Sequence, residues 1–320
     1  MADRPDESFE RQDFAWLAVM SVVFFVLVAI GLWREYATQW RPWQRRFELA
    51  MAHAGRFEDA RKFHRGIHQI WNPELDLVDR CVTCHLGYEW GGILPANLPQ
   101  PLTPHPNLPF MAQHPFGRFG CTTCHAGQGW AISVGAAHDG WPGWEEPMLS
   151  KQLAASCGVS EGELIQMRCN YCHRRDLSTE GMEDINLAKK LVKRRKCLIC
   201  HTLEGQGGHT APDLTYEGDK DPDLFDFSHV TGPKTVFNWN VQHLIAAGKV
   251  SPGTAMPDYS MPPEQARALA LLILSWRHVN YPPQYIPEPA PPPAPAPAAS
   301  AAAPQAAASA APKPAASPAP

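Results

Sequence analysis

Four copies of Cys-x-x-Cys-His punctuate this chain: Cys81-Val82-Thr83-Cys84-His85, Cys121-Thr122-Thr123-Cys124-His125, Cys169-Asn170-Tyr171-Cys172-His173 and Cys197-Leu198-Ile199-Cys200-His201. The pentad is the attachment signature of c-type haem. Two thiols three residues apart reach the two vinyl groups of one porphyrin and form thioethers. The adjacent histidine (His85, His125, His173, His201) then lies under the iron as proximal ligand. Together the pentads take eight of the nine cysteines, which predicts four covalently bound haem c groups. Zinc ribbons place their two Cys-x-x-Cys knuckles about 15–20 residues apart. Here the closest pair, Cys172 and Cys197, is separated by 24 residues, and zinc gives no reason for a histidine after every second cysteine. Redox Cys-x-x-Cys pairs also lack an obligatory histidine. The ninth thiol, Cys157, reads as a small buried hydrophobe.

Sixth ligands come from elsewhere in the chain. Ten histidines lie outside the pentads: His53, His64, His68, His105, His114, His138, His209, His229, His243 and His278. His114 sits seven residues before Cys121, His138 shortly after the second pentad, and His64 and His68 before the first, so these four are the candidates for haems 1 to 3. Met182, Met167 and His209 are further candidates for haem 3. Filled sixth positions restrict a haem to moving electrons, whereas an open one binds peroxide, nitrite or NO. All four sites end in His and spare ligands are plentiful, which favours an electron-transfer subunit over a multihaem reductase or peroxidase.

The elements that must position these residues are mainly α-helical with extensive loops. Residues 14–33 run FAWLAVMSVVFFVLVAIGLW without a charge, enough for one membrane helix. The run is longer than a signal-peptide core and meets no small-residue cleavage site, which favours an uncleaved anchor. Trp16, Trp33, Trp40 and Trp43 are candidate interface markers. The expected organisation is an N-terminus over 1–13, an anchor over 14–34, a helical juxtamembrane segment over 35–71, a loop-rich di-haem region over 72–150, a haem 3 segment over 151–183, an α domain over 184–280 and a disordered Pro/Ala-rich tail over 281–320. Helices are expected over 44–71, which puts His64 and His68 at i,i+4 on one face, and over 160–168, 183–195 and 262–277. The 33 prolines crowd the tail and punctuate the haem region. First cysteines are spaced by 40, 48 and 28 residues, so this is no simple tandem array. Net charge is −4 before haem propionates are counted, which points away from nucleic acid.

Two resemblances extend this reading. Residues 184–277 resemble a class I c-type cytochrome domain: Lys196-Cys197-Leu198-Ile199-Cys200-His201, then Gly205-Gln206-Gly207-Gly208, Ala211-Pro212-Asp213-Leu214, and Pro252-Gly253-Thr254-Ala255-Met256-Pro257 before a last helix. The resemblance implies that Met256 is the distal ligand of haem 4, with Met261 as a rival, and that the Pro212 carbonyl orients His201. A thioether ligand raises the potential. Residues 64–150 are similar to the multihaem cytochrome c subunits found with quinol-oxidising cytochrome b complexes, through Val78-Asp79-Arg80-Cys81, His114-Pro115-Phe116-Gly117-Arg118-Phe119-Gly120-Cys121, Gly127-Gln128-Gly129 and Trp144-Glu145-Glu146-Pro147-Met148. That similarity implies cytochrome b-type membrane partners, a periplasmic acceptor and a haem domain in the periplasm, since haem is attached outside the cytoplasm. Arg34, Arg41, Arg45 and Arg46 against Arg4 and Arg11 would orient the helix the other way by the positive-inside rule. Long domains cross largely regardless of charge, so the haem argument prevails.

Overall fold

The computed structural model describes residues 10–106, 108–138 and 146–287. Helix α1 (Arg11–Tyr36) has a run of mean hydropathy 2.7 and no buried residue, and among the described residues it is the helix long and apolar enough to cross a membrane. After a break at residues 37–39 comes α2 (Trp40–His53), amphipathic, with Trp40, Gln44, Phe47 and Met51 buried along one face. Fully buried Gln44 donates from Nε2 to the carbonyls of Gly66 (2.6 Å) and Thr83 (3.1 Å), which ties α2 to the first pentad.

The expected helix over 44–71 is shorter than its pattern. Gly55 at φ 75° ends the first stretch, α3 (Phe57–Lys62) follows, and the chain then extends from Phe63. His64 and His68 therefore lie outside any helix and do not share a helix face. Strands β1 (Ile70–Asn72) and β2 (Leu77–Asp79) pair antiparallel and deliver Asp79 just before Cys81.

Loops and short turns dominate up to residue 150, as the proline content demands. Within them lie α4 (Phe116–Phe119), α5 (Thr122–His125) and α6 (Val134–His138). Regular structure returns with α7 (Lys151–Cys157), α8 (Glu161–Cys169) and α9 (Glu183–Arg194). Then come the two-residue strands β3 (Thr202–Leu203) and β4 (Gln206–Gly207), followed by α10 (Val236–Ile245), α11 (Ala247–Val250) and α12 (Pro263–Leu274). The main core lies where α9 and α10 pack on α12: Ile185, Ala188 and Leu191 meet Ala266, Leu269, Ala270 and Ile273, with Phe237 and Leu244. Fully burying one such Leu or Ile contributes about 1.5–3 kcal/mol, and the alanines let the helices approach closely. A second, smaller core under α2 joins Phe47 and Met51 to Leu86, Leu94 and Leu102.

The tail boundary at 281 also needs correction. Residues 283–285 form a turn, and Tyr285 is buried: its hydroxyl accepts from Asn72 Nδ2 (2.7 Å) and donates to Glu74 (2.9 Å), while its ring meets Phe119. Large side chains with partners hold this stretch, which composition averaged over the tail conceals. The Pro/Ala run itself, and the first nine residues, lie outside the described residues.

Candidate functional site

One local turn recurs at every pentad. The histidine N–H donates to the carbonyl of the first cysteine, at 2.9 Å (His85 to Cys81), 2.9 Å (His125 to Cys121), 3.0 Å (His173 to Cys169) and 3.1 Å (His201 to Cys197). A helical turn of this kind puts residues i, i+3 and i+4 on one face. Both thiols and the imidazole thus project together, as one porphyrin with one axial nitrogen requires. None of the nine cysteines forms a disulfide, which leaves their sulfurs available for thioether bonds. Burial pushes Cys169 up to about 12 and Cys172 up to about 11, and it also raises Cys84, Cys124 and Cys197. A buried thiol in apolar surroundings is a poor thiolate. A thioether buries no charge there. Cys157 is half-buried beside Ser156.

Three of the four pentad histidines face a second imidazole. Ring centres are 5.9 Å apart for His85 and His138, 6.3 Å for His125 and His105, and 5.9 Å for His173 and His114. A metal–imidazole bond is about 2 Å, so two such bonds on opposite sides of one metal put ring centres roughly 6 Å apart. Burial first, then the neighbouring charges of His138 and His125, pushes His85 down to about 4; burial and then His105 lowers His125. Neutral imidazoles are the form that ligates metal.

The second nitrogen of several rings is already engaged. His114 Nδ1 meets the Phe110 carbonyl at 2.8 Å, His105 Nδ1 the Pro106 carbonyl at 2.9 Å, and His173 Nδ1 the Asp176 carboxylate at 2.5 Å. His201 Nδ1 meets the Pro212 carbonyl at 2.8 Å. Each acceptor fixes the proton on Nδ1 and leaves the Nε2 lone pair free for a metal.

The fourth pentad opens on a cavity of about 400 Å³. Cys197, Cys200, His201 and Met256 line it, with Trp239, Leu269 and Trp276 among its apolar walls. Met256 is half-buried there, its N–H held by Thr254 Oγ1 at 3.2 Å. Met261 is instead buried in the helical core. His243 lines the same cavity, stacked on Trp239 at 4.5 Å; burial and then the His201 charge lower it. Gly208 must be glycine, because a Cβ would fall 1.9 Å from the Ile199 carbonyl oxygen inside the pentad turn.

The remaining candidates stand apart. His64 is exposed, and His68 stacks on Phe63 at 5.1 Å with Nε2 buried and unpartnered among the described atoms. Met182 is fully buried in the helical core, Met167 packs against it, and His209 is exposed beside Thr202. His105 carried no signal beyond its place among the ten spare histidines. Its Pro-His-Pro setting in an aperiodic loop gives only a reason to expect a rigid ring.

Side chains link the pentads in chain order. Asp79 accepts from Cys81 N (3.0 Å) and Cys121 N (2.7 Å), which joins the first to the second and brings Asp79, Cys81 and Cys121 ligand atoms within 4.8 Å of one another. Arg168, just before the third pentad, donates to the Thr123 carbonyl inside the second (3.1 Å) and pairs with Glu146 at 2.7 Å. Buried Asn170, inside the third, donates to Ser275 at the end of α12 (2.7 Å), and α12 walls the fourth site.

Comparison with known proteins returns one family: the model described as Cytochrome c matches residues 185–276. No curated protein and no solved structure matches the chain. The matched segment runs from α9 to just past α12 and encloses the fourth pentad, the Gly-rich turn and the Met256 cavity. The match over residues 185–276 supports a class I c-type cytochrome domain there; such a domain implies covalently bound haem c and suggests electron transfer.

Proposed function

We propose that this chain is a membrane-anchored periplasmic tetrahaem cytochrome c that carries electrons from a quinol-oxidising cytochrome b complex to a periplasmic acceptor. The observation that carries the reading is the pairing of His85, His125 and His173 with His138, His105 and His114 at 5.9–6.3 Å. Rings so paired would hold haems 1 to 3, and His201 with Met256 would hold haem 4. Bound haem supplies a one-electron couple at each site. The protein's residues would supply two ligands to each iron, which would leave no open position for substrate and little to rearrange on electron transfer. The Nδ1 acceptors Asp176, Pro106, Phe110 and Pro212 hold the rings in place. The links through Asp79, Arg168 and Asn170 support a route in chain order from haem 1, nearest the anchor in sequence, to haem 4. Met256 makes haem 4 the high-potential end, since a thioether favours ferrous iron over a second imidazole.

The surface beside haem 4 supports an acidic acceptor. Lys190, Lys193, Arg194 and Lys196 are exposed just before Cys197 and pair with no described carboxylate, and Ile199 and Cys200 are exposed beside them. Such a basic rim speeds encounter with a negative partner.

Intact mass of protein matured in a haem-attaching host, read with its EPR spectrum, tests the reading. Four haem adducts and only low-spin signals are expected, and Met256→Ala removes the highest redox step. Fewer than four adducts sink the tetrahaem reading. A full-occupancy high-spin haem that binds CO would turn the assignment toward a reductase or peroxidase.

A further inference from the structure

Asp79 is fully buried and accepts four hydrogen bonds from two attachment loops. Oδ1 takes the Cys81 N–H at 3.0 Å. Oδ2 takes the Cys121 N–H at 2.7 Å, the Thr122 N–H at 2.8 Å and the Thr122 hydroxyl at 3.1 Å. Every neighbour donates, so both oxygens act only as acceptors, the pattern of an ionised carboxylate. No lysine or arginine pairs with it among the described residues. The adjacent Arg80 turns away, donating to Gln69 (3.0 Å) and to the Trp130 carbonyl (3.1 Å). The backbone conforms to this contact: Gly120 has φ 63°, and a Cβ there would fall 3.0 Å from Asp79 Oδ2.

We infer that Asp79 is a positioning and electrostatic residue that clamps the first two haem-attachment loops together and biases both of their haems toward the ferric state. A buried negative charge with no paired cation favours the more positive iron, and low local polarisability lets it act over several ångströms. No comparable buried carboxylate links the loops of the fourth pentad among the described residues. The carboxylate therefore helps order the potentials, low at haems 1 and 2 and high at haem 4, which gives the route its direction.

The inference rests on haem being attached at the first two pentads, and the test separates the two. Asp79→Asn in the full-length holoprotein keeps an acceptor oxygen for the Cys121 and Thr122 donors but removes the charge. With four adducts confirmed by intact mass, redox titration is expected to show two of the four steps moved upward and the Met256-dependent step unmoved. Asp79→Glu, which restores the charge, should return them toward the original values. Four adducts with every step unmoved overturns the role of Asp79 and leaves the tetrahaem assignment standing; missing adducts in the unmodified protein sink that assignment instead. Should Asp79→Asn fail to mature, Thr122→Val removes one hydroxyl donor and leaves the charge less neutralised. The same two steps should then move down, and their constancy would overturn the inference.

Discussion

On the proposed reading His105 is a distal ligand, and its ring is held for that by its Nδ1 contact to the Pro106 carbonyl at 2.9 Å and by Phe116, edge to face at 5.3 Å. With a haem held between His125 and His105 as proposed, His105→Ala would remove one of its two ligands. The expected outcome is one new high-spin EPR signal in four and CO binding at a single haem. His64→Ala, at an exposed position, should leave the spectrum unchanged. Retention of four low-spin haems in His105→Ala would remove His105 from the ligand set. The contrast between these residues explains what was legible at this scale. Thioether chemistry demands two cysteines and a histidine within one turn, so the pentads stand out in the sequence. A distal ligand needs only to arrive in space, and nothing local to His105, His114 or His138 encodes which proximal ring it meets. Four-residue spacing puts His64 and His68 on one face only within a helix, and the helix stops at Lys62.

Among the elements, α8 shows how local chemistry fixes a site at a distance. Ser160 Oγ accepts from the Glu163 N–H at 3.1 Å, and Glu163 reaches back to the Ser160 N–H at 2.6 Å, a reciprocal cap readable in the sequence. Glu163 also receives Arg267 of α12 at 3.0 Å, so the cap locks the helix that carries the third pentad onto the cytochrome domain. Ser160→Ala should destabilise the fold by about 1 kcal/mol in denaturant titration. For Glu163, burial raises the carboxyl, but hydrogen bonds from Ser160 and the charge of Arg267 outweigh it and lower it below 4.5. A depressed carboxyl contributes stability above its unfolded value and loses it as pH falls through the folded one. Glu163→Gln should therefore be less stable than the parent at neutral pH, with the gap closing below pH about 4.5; a constant gap across that range would dismiss the charge. Helix α10 shows the opposite case. Over Val236–Ile245 the residues Asn238, Trp239 and Asn240 interrupt the apolar pattern. The missed signal was Thr235, whose hydroxyl accepts from the Asn238 N–H at 3.1 Å, followed by Phe237, Val241 and Leu244 on one face.

For the whole molecule, everything depends on where the chain is held. Helix α1 has 26 residues, about 39 Å at 1.5 Å per residue, against a hydrocarbon core of about 30 Å. None of its residues is buried in the rest of the described protein, which leaves a long apolar surface that lipid can cover. Its break at residues 37–39 leads directly into α2, whose Trp40 and Gln44 are locked into the fold. A leader cut within the helix would leave an apolar stub on a packed element, and the stretch after the apolar run, residues 33–46, offers no small-residue site. The chain is therefore expected to keep α1 on maturation. Intact mass of the membrane fraction should include residues through Tyr36 together with four haem adducts, and alkaline carbonate should not extract it. Protease added to intact spheroplasts should reach the haem-bearing part and leave a short protected fragment around α1. A mature mass that begins beyond Tyr36, in protein released by osmotic shock, would show that α1 is a leader. Electrons would then have to reach haem 1 by diffusion of a soluble carrier, without a tethered path from a membrane complex.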